Sequence, residues 1–282
     1  MEDVRNDQSE IQRQWNGAAP YWKKWNEKFV EQSRAATELA VASAEVKPGM
    51  RTLDLASGTG EPALSMAKAV GPQGRIVATD LTLAMLQAAR EKAAVLHQNN
   101  IHFGVSQAEN LPFRDAGFDR VTCRFGVMFF LDIAKALAEI RRVLRPEGRI
   151  SFVVWGPFDE NPWFSVPLKP FLKHVQMPEP ALDSPGPFRF ADESKLAAAL
   201  EEGGFQNVQA TKRRVQWPWP GPAEEAWEAK SELSAPFKKL IAALPRDKEK
   251  EVLREVLRGI REFGSGERVE FPATLIAATA SV

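Results

Sequence analysis

The chain has 282 residues, 44% hydrophobic and 26% charged, which suits one large globular domain or a core with a subdomain. Lys+Arg and Asp+Glu both number 37, so no net positive field favours nucleic acid or an anionic membrane. The single Cys123 excludes an internal disulfide framework and a cysteine-based zinc site, and no metal site is expected.

The first stretch, MEDVRNDQSEIQRQ, is polar and lacks an apolar run of signal type. No window approaches the ~18 apolar residues of a membrane span, so the chain reads as cytoplasmic with no integral span. Residues 1–47 read as a helical cap: VEQSRAATELAVASAEV has helical spacing, and KPGM breaks it. From 48 to 155 strands and helices alternate. TLDLA, RIVATD, IHFGVSQAE, FDRVTCRFGV and GRISFVVWG are apolar strands. Between them, EPALSMAKAV, LTLAMLQAAREKAAVLHQ and IAKALAEIRRVL are helices, with Pro62 in a first turn and Thr82 and Asp132 as caps. This alternation predicts an α/β fold with a parallel sheet covered on both faces.

Residues 156–190 are rich in Pro and Phe with little periodicity and read as a lid insert. Residues 191–217 continue the core with a helix capped by Asp192 and stopped at Gly203–Gly204, then a strand. A second, helical lid insert spans 218–264, and a last core strand lies in 265–282. The basic runs at 141–143 and 212–214 read as solvated faces.

The stretch LDLASGTGEPAL joins the first strand to the first helix. Backbone N–H groups point outward there, and Gly58 and Gly60 let a ligand approach without a Cβ in the way. Asp80 ends the next strand 20 residues past Gly60, where an acid can take both hydroxyls of a ribose. Glu61 at the helix entrance would repel a pyrophosphate but not a cationic amine or sulfonium. Asp54 adds a second acid. Gln107, Ala108 and Glu109, after the third strand, are placed to touch a purine edge.

In this order, LDLASGTG, VATDLTLAML, SQAENLPF, FDRVTCRFGVMFF and ALAEIRRVLRPEGRI closely resemble the class I S-adenosylmethionine-dependent methyltransferases. Within them the chain is similar to the small-molecule group typified by ubiquinone/menaquinone-biosynthesis C-methyltransferases. The resemblance implies a Rossmann-like, seven-stranded, mostly parallel sheet whose last strand is antiparallel. It also implies S-adenosylmethionine as cofactor and S-adenosylhomocysteine as product. Asp54 then lies near the donor's amino group, with Gly58 and Gly60 under its methionine moiety and Asp80 on its ribose. Leu81 and Met85 pack on adenine, and Ala108 contacts it through the backbone. Arg124 and Phe125 line the floor beneath the methyl group. Ala56 stands where the family usually has its first glycine. Gln107 replaces the usual Asp, and its side-chain oxygen can still accept from the adenine amino group.

Methyl transfer from a sulfonium needs alignment and a dry site, and a base only if the acceptor must lose a proton. His97 and His102 read as solvated, and Cys123 as a small packing residue. His174 lies in the first lid insert and is an acceptor-side candidate. Tyr21 and Trp22, in the N-terminal aromatic segment, either touch cofactor or substrate or simply pack the cap. Trp163 and Trp217 belong to aromatic clusters in the additions, which suit an apolar or aromatic small acceptor. A nucleic-acid methyltransferase is disfavoured by CRFGVMFF after the fourth strand, where an amino-methylating enzyme has a base-holding (N/D)PP(Y/F). A nicotinamide-dependent oxidoreductase is disfavoured by Glu61. A non-catalytic cofactor-binding sensor or partner protein stays open, as do the attacked atom, the base and the oligomeric state.

Overall fold

The computed structural model describes residues 2–176, 183–264 and 266–282, with side chains from Ile11 onward. Met1, 177–182 and Ser265 lie outside the described residues, and with them part of the expected 156–190 insert and one position each of the 1–47 and 265–282 segments.

Three helices come first: α1 (Glu2–Lys24), α2 (Asn26–Gln32) and α3 (Arg34–Ala44). The core follows as β1 (Arg51–Leu55), α4 (Ala63–Val70), β2 (Arg75–Asp80), α5 (Leu83–Val95), β3 (Ile101–Val105), β4 (Phe118–Arg124), α6 (Ile133–Val143) and β5 (Leu144–Trp155). Then come α7 (Pro162–Phe171), α8 (Glu193–Glu202), β6 (Gln206–Trp219), α9 (Ala223–Leu233), α10 (Ala235–Ala243), α11 (Glu249–Arg261) and β7 (Val269–Ser281). The strands form one sheet in the order β3-β2-β1-β4-β5-β7-β6. The pairs from β3 to β5 are parallel, while β7 runs antiparallel to both β5 and β6. The strand order reverses between β1 and β4, the place where open α/β sheets form a crevice at their carboxyl ends.

Local chemistry explains most boundaries. Asp132 caps α6 by accepting from Lys135 N, and Asp192 caps α8 by accepting from Ser194 N. Thr82 precedes α5 in extended backbone, but its side chain makes no capping bond. Pro62 immediately precedes α4 rather than standing in its first turn. β6 runs two residues past 217, so Pro218 and Trp219 belong to the sheet rather than to the second insert.

The 156–190 insert holds a helix that its sequence conceals. α7 opens on Pro162, a favoured first position, yet carries Pro167 and Pro170 inside. An interior proline costs about 3 kcal/mol in an isolated helix. Burial of Trp163, Ser165, Pro167, Pro170 and Phe171 offsets that cost here. The matching face comes from α11, whose Val252, Val256 and Ile260 form a buried stripe.

The end of β1 touches the end of β4 very closely. Ala56 has φ 52 and Phe125 has φ 60, left-handed values that L-residues rarely adopt. A Cβ placed on Gly126 would sit 2.4 Å from Ala56 Cβ and 2.6 Å from Cys123 Sγ. The methyl at position 56 is thus accommodated because position 126 has none. We expect Gly126→Ala to cost about 1–3 kcal/mol in urea unfolding, and Ala56→Gly in the same chain to recover at least about 0.5 kcal/mol of it. An equal cost in both backgrounds would contradict this packing.

Candidate active site

The site lies over the carboxyl ends of β1, β2 and β4. Asp54 sits on β1 between β2 and β4, in register with Ala78 and Thr122, and is fully buried. Its Oδ1 accepts from Thr122 Oγ1 at 2.6 Å. Its backbone oxygen accepts from Ser57 Oγ and Thr79 Oγ1. Among the described residues its Oδ2 has no hydrogen-bond partner. Burial pushes the Asp54 carboxyl up from 3.8 to about 7, against the opposing bond from Thr122 and the nearby Arg124 guanidinium. A buried acceptor left open in this way suits a cationic donor group arriving from outside.

The turn above it runs through Gly58 at φ 53 and Gly60 at φ 115. Nothing lies within 4 Å of where a Gly58 Cβ would be, so the turn offers bare backbone. Asp80 ties this turn to the neighbouring strand end. Its Oδ2 accepts from Gly58 N at 2.9 Å and its Oδ1 from Thr82 N at 2.9 Å. Burial raises the Asp80 pKa, partly countered by those backbone bonds. A carboxylate has about four acceptor positions, so both oxygens can still take hydroxyl donors. Glu61 accepts from Ser65 N and so guards the entrance of α4. Lys92 on α5 closes the far side of the turn by donating to Thr59 O at 2.6 Å and Asn26 Oδ1 at 2.5 Å. Burial lowers the Lys92 amine to about 8.

Beyond Asp80, Leu81 is partly buried and Met85 fully so, and Gln12 of α1 donates to Leu81 O. Ala108 is buried, and Gln107 pairs across a small bridge with Asn110. The Glu109 carboxylate is engaged elsewhere: its Oε1 accepts from Leu131 N at 2.9 Å and from Asp132 N at 3.4 Å.

Arg124 ends β4 beneath the N-terminal helices. Its Nη1 donates to Ser33 Oγ at 2.7 Å and Thr37 Oγ1 at 3.2 Å, while its buried Nε has no partner among the described residues. Burial lowers its pKa. Ser33 lies between α2 and α3, where the sequence suggests one continuous helix. Gln32, fully buried beside it, leaves both amide atoms unpartnered among the described residues. Gln32, Ser33, Thr37 and Lys92 escaped the sequence reading because nothing local marks them; their partners are distant in the chain.

Phe125 stacks on Trp155 at 4.6 Å, and Trp155 meets Trp217 at 4.6 Å and Phe164 at 4.9 Å. Trp217 is fully buried, and among the described residues its Nε1 and that of Trp22 have no partner. Trp22 packs on Phe29, which meets Trp217. Trp163 stacks on Trp219 at 5.8 Å and faces Phe271. The structure therefore brings Trp22, Phe125 and Trp217 into one connected aromatic body, while Trp163 joins a second group with Trp219 and Phe271. Tyr21 instead lies under Lys238 Nζ at 3.8 Å. His174 follows α7, its backbone N–H donating to Phe171 O at 2.9 Å. Cys123 is buried and its thiol is pushed up by burial, in keeping with a packing role.

A sheet of this order, with a glycine turn between an acid on β1 and an acid ending β2, defines a class I S-adenosylmethionine-dependent methyltransferase. The model of the ubiE/COQ5 methyltransferase family matches residues 22–180, and the chain belongs to that family. It is an S-adenosylmethionine-dependent methyltransferase of small molecules. A demethylmenaquinone methyltransferase of Deinococcus radiodurans is 37% identical over 180 residues, 63% of this chain and 73% of that one. A ubiquinone/menaquinone biosynthesis C-methyltransferase of Cupriavidus taiwanensis is 33% identical over 183 residues, 60% of this chain and 72% of that one. Among solved structures, the YcgJ protein of Bacillus subtilis shares the fold with TM-score 0.58 at 22% identity, covering 88% of this chain and 98% of its own. A Haemonchus contortus phosphoethanolamine N-methyltransferase 2, solved with S-adenosylmethionine, shares it with TM-score 0.54 at 14% identity, covering 92% and 57%. Among the described residues, no helix is long and apolar enough to cross a membrane.

The Asp54 carboxyl has a consequence for stability. Its folded pKa of about 7 lies above the ordinary 3.8, so the folded chain holds a proton that the unfolded chain releases first. Stability therefore falls as pH rises between about 4 and 7. Between pH 5 and pH 8 this loss is about 3 kcal/mol. We expect urea midpoints of the cofactor-free protein to show that fall, and Asp54→Asn to lack it.

Proposed function

We propose that this chain methylates a hydroquinone- or phenol-type aromatic small molecule. One observation carries the reading: the buried ring N–H groups of Trp22 and Trp217, unpartnered among the described residues, sit within the aromatic body that includes Phe125, and the unpartnered amide of Gln32 lies on α2 three residues after Phe29 of that body. Aromatic faces suit a ring, and stranded N–H donors suit its oxygens. The names of the Deinococcus and Cupriavidus relatives support the same acceptor class.

On this reading S-adenosylmethionine supplies an electrophilic methyl group, and the protein supplies placement. Asp54 Oδ2 accepts from the amino group, with the Ala56, Gly58 and Gly60 backbone alongside. Arg124 Nε donates to the carboxylate end, while Ser33 and Thr37 hold the guanidinium still. Asp80 takes the ribose hydroxyls. Leu81, Met85 and Ala108 pack on the adenine, whose amino group reaches Gln107. Phe125 forms the floor at the methyl position. Glu109 acts indirectly, by fixing the 131–132 backbone.

The N-terminal helices α1 to α3, α7 of the first insert and α9 to α11 of the second form the lid over the core, with β6 and β7 completing the sheet. Lys24 of α1 pairs with Glu228 and Glu232 of α9, which supports cap and lid acting together. Such exposed pairs are worth about 0–1 kcal/mol each, so the lid can open. Balanced charge supports a small acceptor rather than nucleic acid, and the lone reduced cysteine supports a cytoplasmic setting.

Two measurements test these assignments. By calorimetry, Asp80→Ala is expected to weaken S-adenosylmethionine binding at least about 100-fold, as lost charge-assisted hydrogen bonds would; unchanged affinity would contradict the ribose role. Gln32→Leu is expected to raise the KM for quinol acceptors about 10-fold at unchanged donor affinity. An unaltered acceptor KM would remove Gln32 from the acceptor site.

A further inference from the structure

We propose that Lys230 is the general base of the reaction, taking the hydroxyl proton of the aromatic acceptor. The proposal rests on the acceptor class proposed above.

Lys230 lies on α9 within a run of buried alanines, and it is 3% exposed. A lysine is almost never buried without a paired charge. Here the amine forms no hydrogen bond or ion pair among the described residues. Instead it faces rings: Phe164 at 3.4 Å, Trp163 at 5.0 Å and Phe237 at 5.7 Å. Phe164 meets Trp155, which stacks on Phe125. The amine thus stands at one end of a row of rings whose other end is the floor beside Arg124. An aromatic acceptor lying along that row would carry its ring toward the donor and an oxygen toward Lys230.

Burial alone holds the amine well below the usual ammonium range. Several ionic groups of the elements packed around it are engaged elsewhere. Arg261 of α11 pairs with Glu224 of α9, and Lys173 after α7 pairs with Glu255 of α11. Lys24 of α1 holds Glu228 and Glu232, and Lys238 of α10 lies over Tyr21. A neutral amine in an apolar box has a free lone pair, and once protonated it is stabilised by the ring faces.

The step balances as follows. The O–H proton passes to Nζ, leaving an ammonium and a phenolate. The phenolate electron pair, delocalised to a ring carbon, forms the new carbon–carbon bond as the sulfur–methyl bond breaks with its pair onto sulfur. The ring C–H proton then leaves to water, and the ammonium returns its proton to the oxygen. One proton is released overall.

The test compares wild type with Lys230→Met. Calorimetry should give equal S-adenosylmethionine affinity, and the apolar replacement should melt no lower than wild type. kcat with quinols and phenols should fall about 10²–10⁴-fold, and the acid limb of the pH profile should vanish. The deficit should shrink as the phenol becomes more acidic. Without turnover, a nitrophenol bound in the presence of S-adenosylhomocysteine should show its phenolate absorbance in wild type and less of it in Lys230→Met. Ethylamine should restore turnover to Lys230→Ala, more strongly basic amines restoring more. If wild type turns over no phenol or quinol, the acceptor reading fails. If wild type does so and Lys230→Met matches it within twofold at every pH, or if wild type shows no phenolate band and amines rescue nothing, the base assignment fails alone.

Discussion

The structure turns on one buried carboxyl. β1 must lie in the middle of a parallel sheet, between β2 and β4, and such a strand ordinarily carries only apolar side chains. Asp54 breaks that rule with one oxygen bonded to Thr122 and the other left without a partner among the described residues. Desolvation makes the charged form unfavourable until something positive arrives. Everything around it keeps the approach clear. The glycine turn removes side chains, Asp80 holds Gly58 N, and Lys92 clamps Thr59 O from the opposite side.

That arrangement links the crevice to the N-terminal helices. Arg124 shares the buried space with Asp54, yet its firm bonds go to Ser33 and Thr37, at the junction of α2 and α3. Lys92 likewise reaches Asn26, the first residue of α2. The N-terminal helices are therefore attached to the same residues that surround the crevice. Stability lost to buried, half-satisfied polar groups is a common companion of function. Among the described residues, those of Asp54, Arg124 and Thr82 lie around the crevice, while those of Thr52 and Gln98 lie away from it.

The core was legible because its signals are local. Strand–helix alternation, the glycine turn and an acid ending the second strand all reside within short windows, and β1, β2, β4 and Asp80 stand where those windows place them. What escaped depends on partners far along the chain. α7 carries interior prolines that local propensity forbids, and only packing against α11 sustains it. Gln32 and Lys230 look like ordinary surface residues until the fold encloses them. Glu109 illustrates the reverse case: its position beside the third strand suggests a purine contact, but two backbone N–H groups after β4 compete for its carboxylate.

The most direct measurement is the proton balance of donor binding. Calorimetric titration of the cofactor-free protein with S-adenosylmethionine at pH 6, in two buffers of different ionisation enthalpy, counts protons exchanged. Asp54 is mostly protonated there, and a cation beside it should expel that proton. Net proton release by wild type, absent in Asp54→Asn, is the expected result. Tight binding by wild type with no proton exchanged would contradict the account.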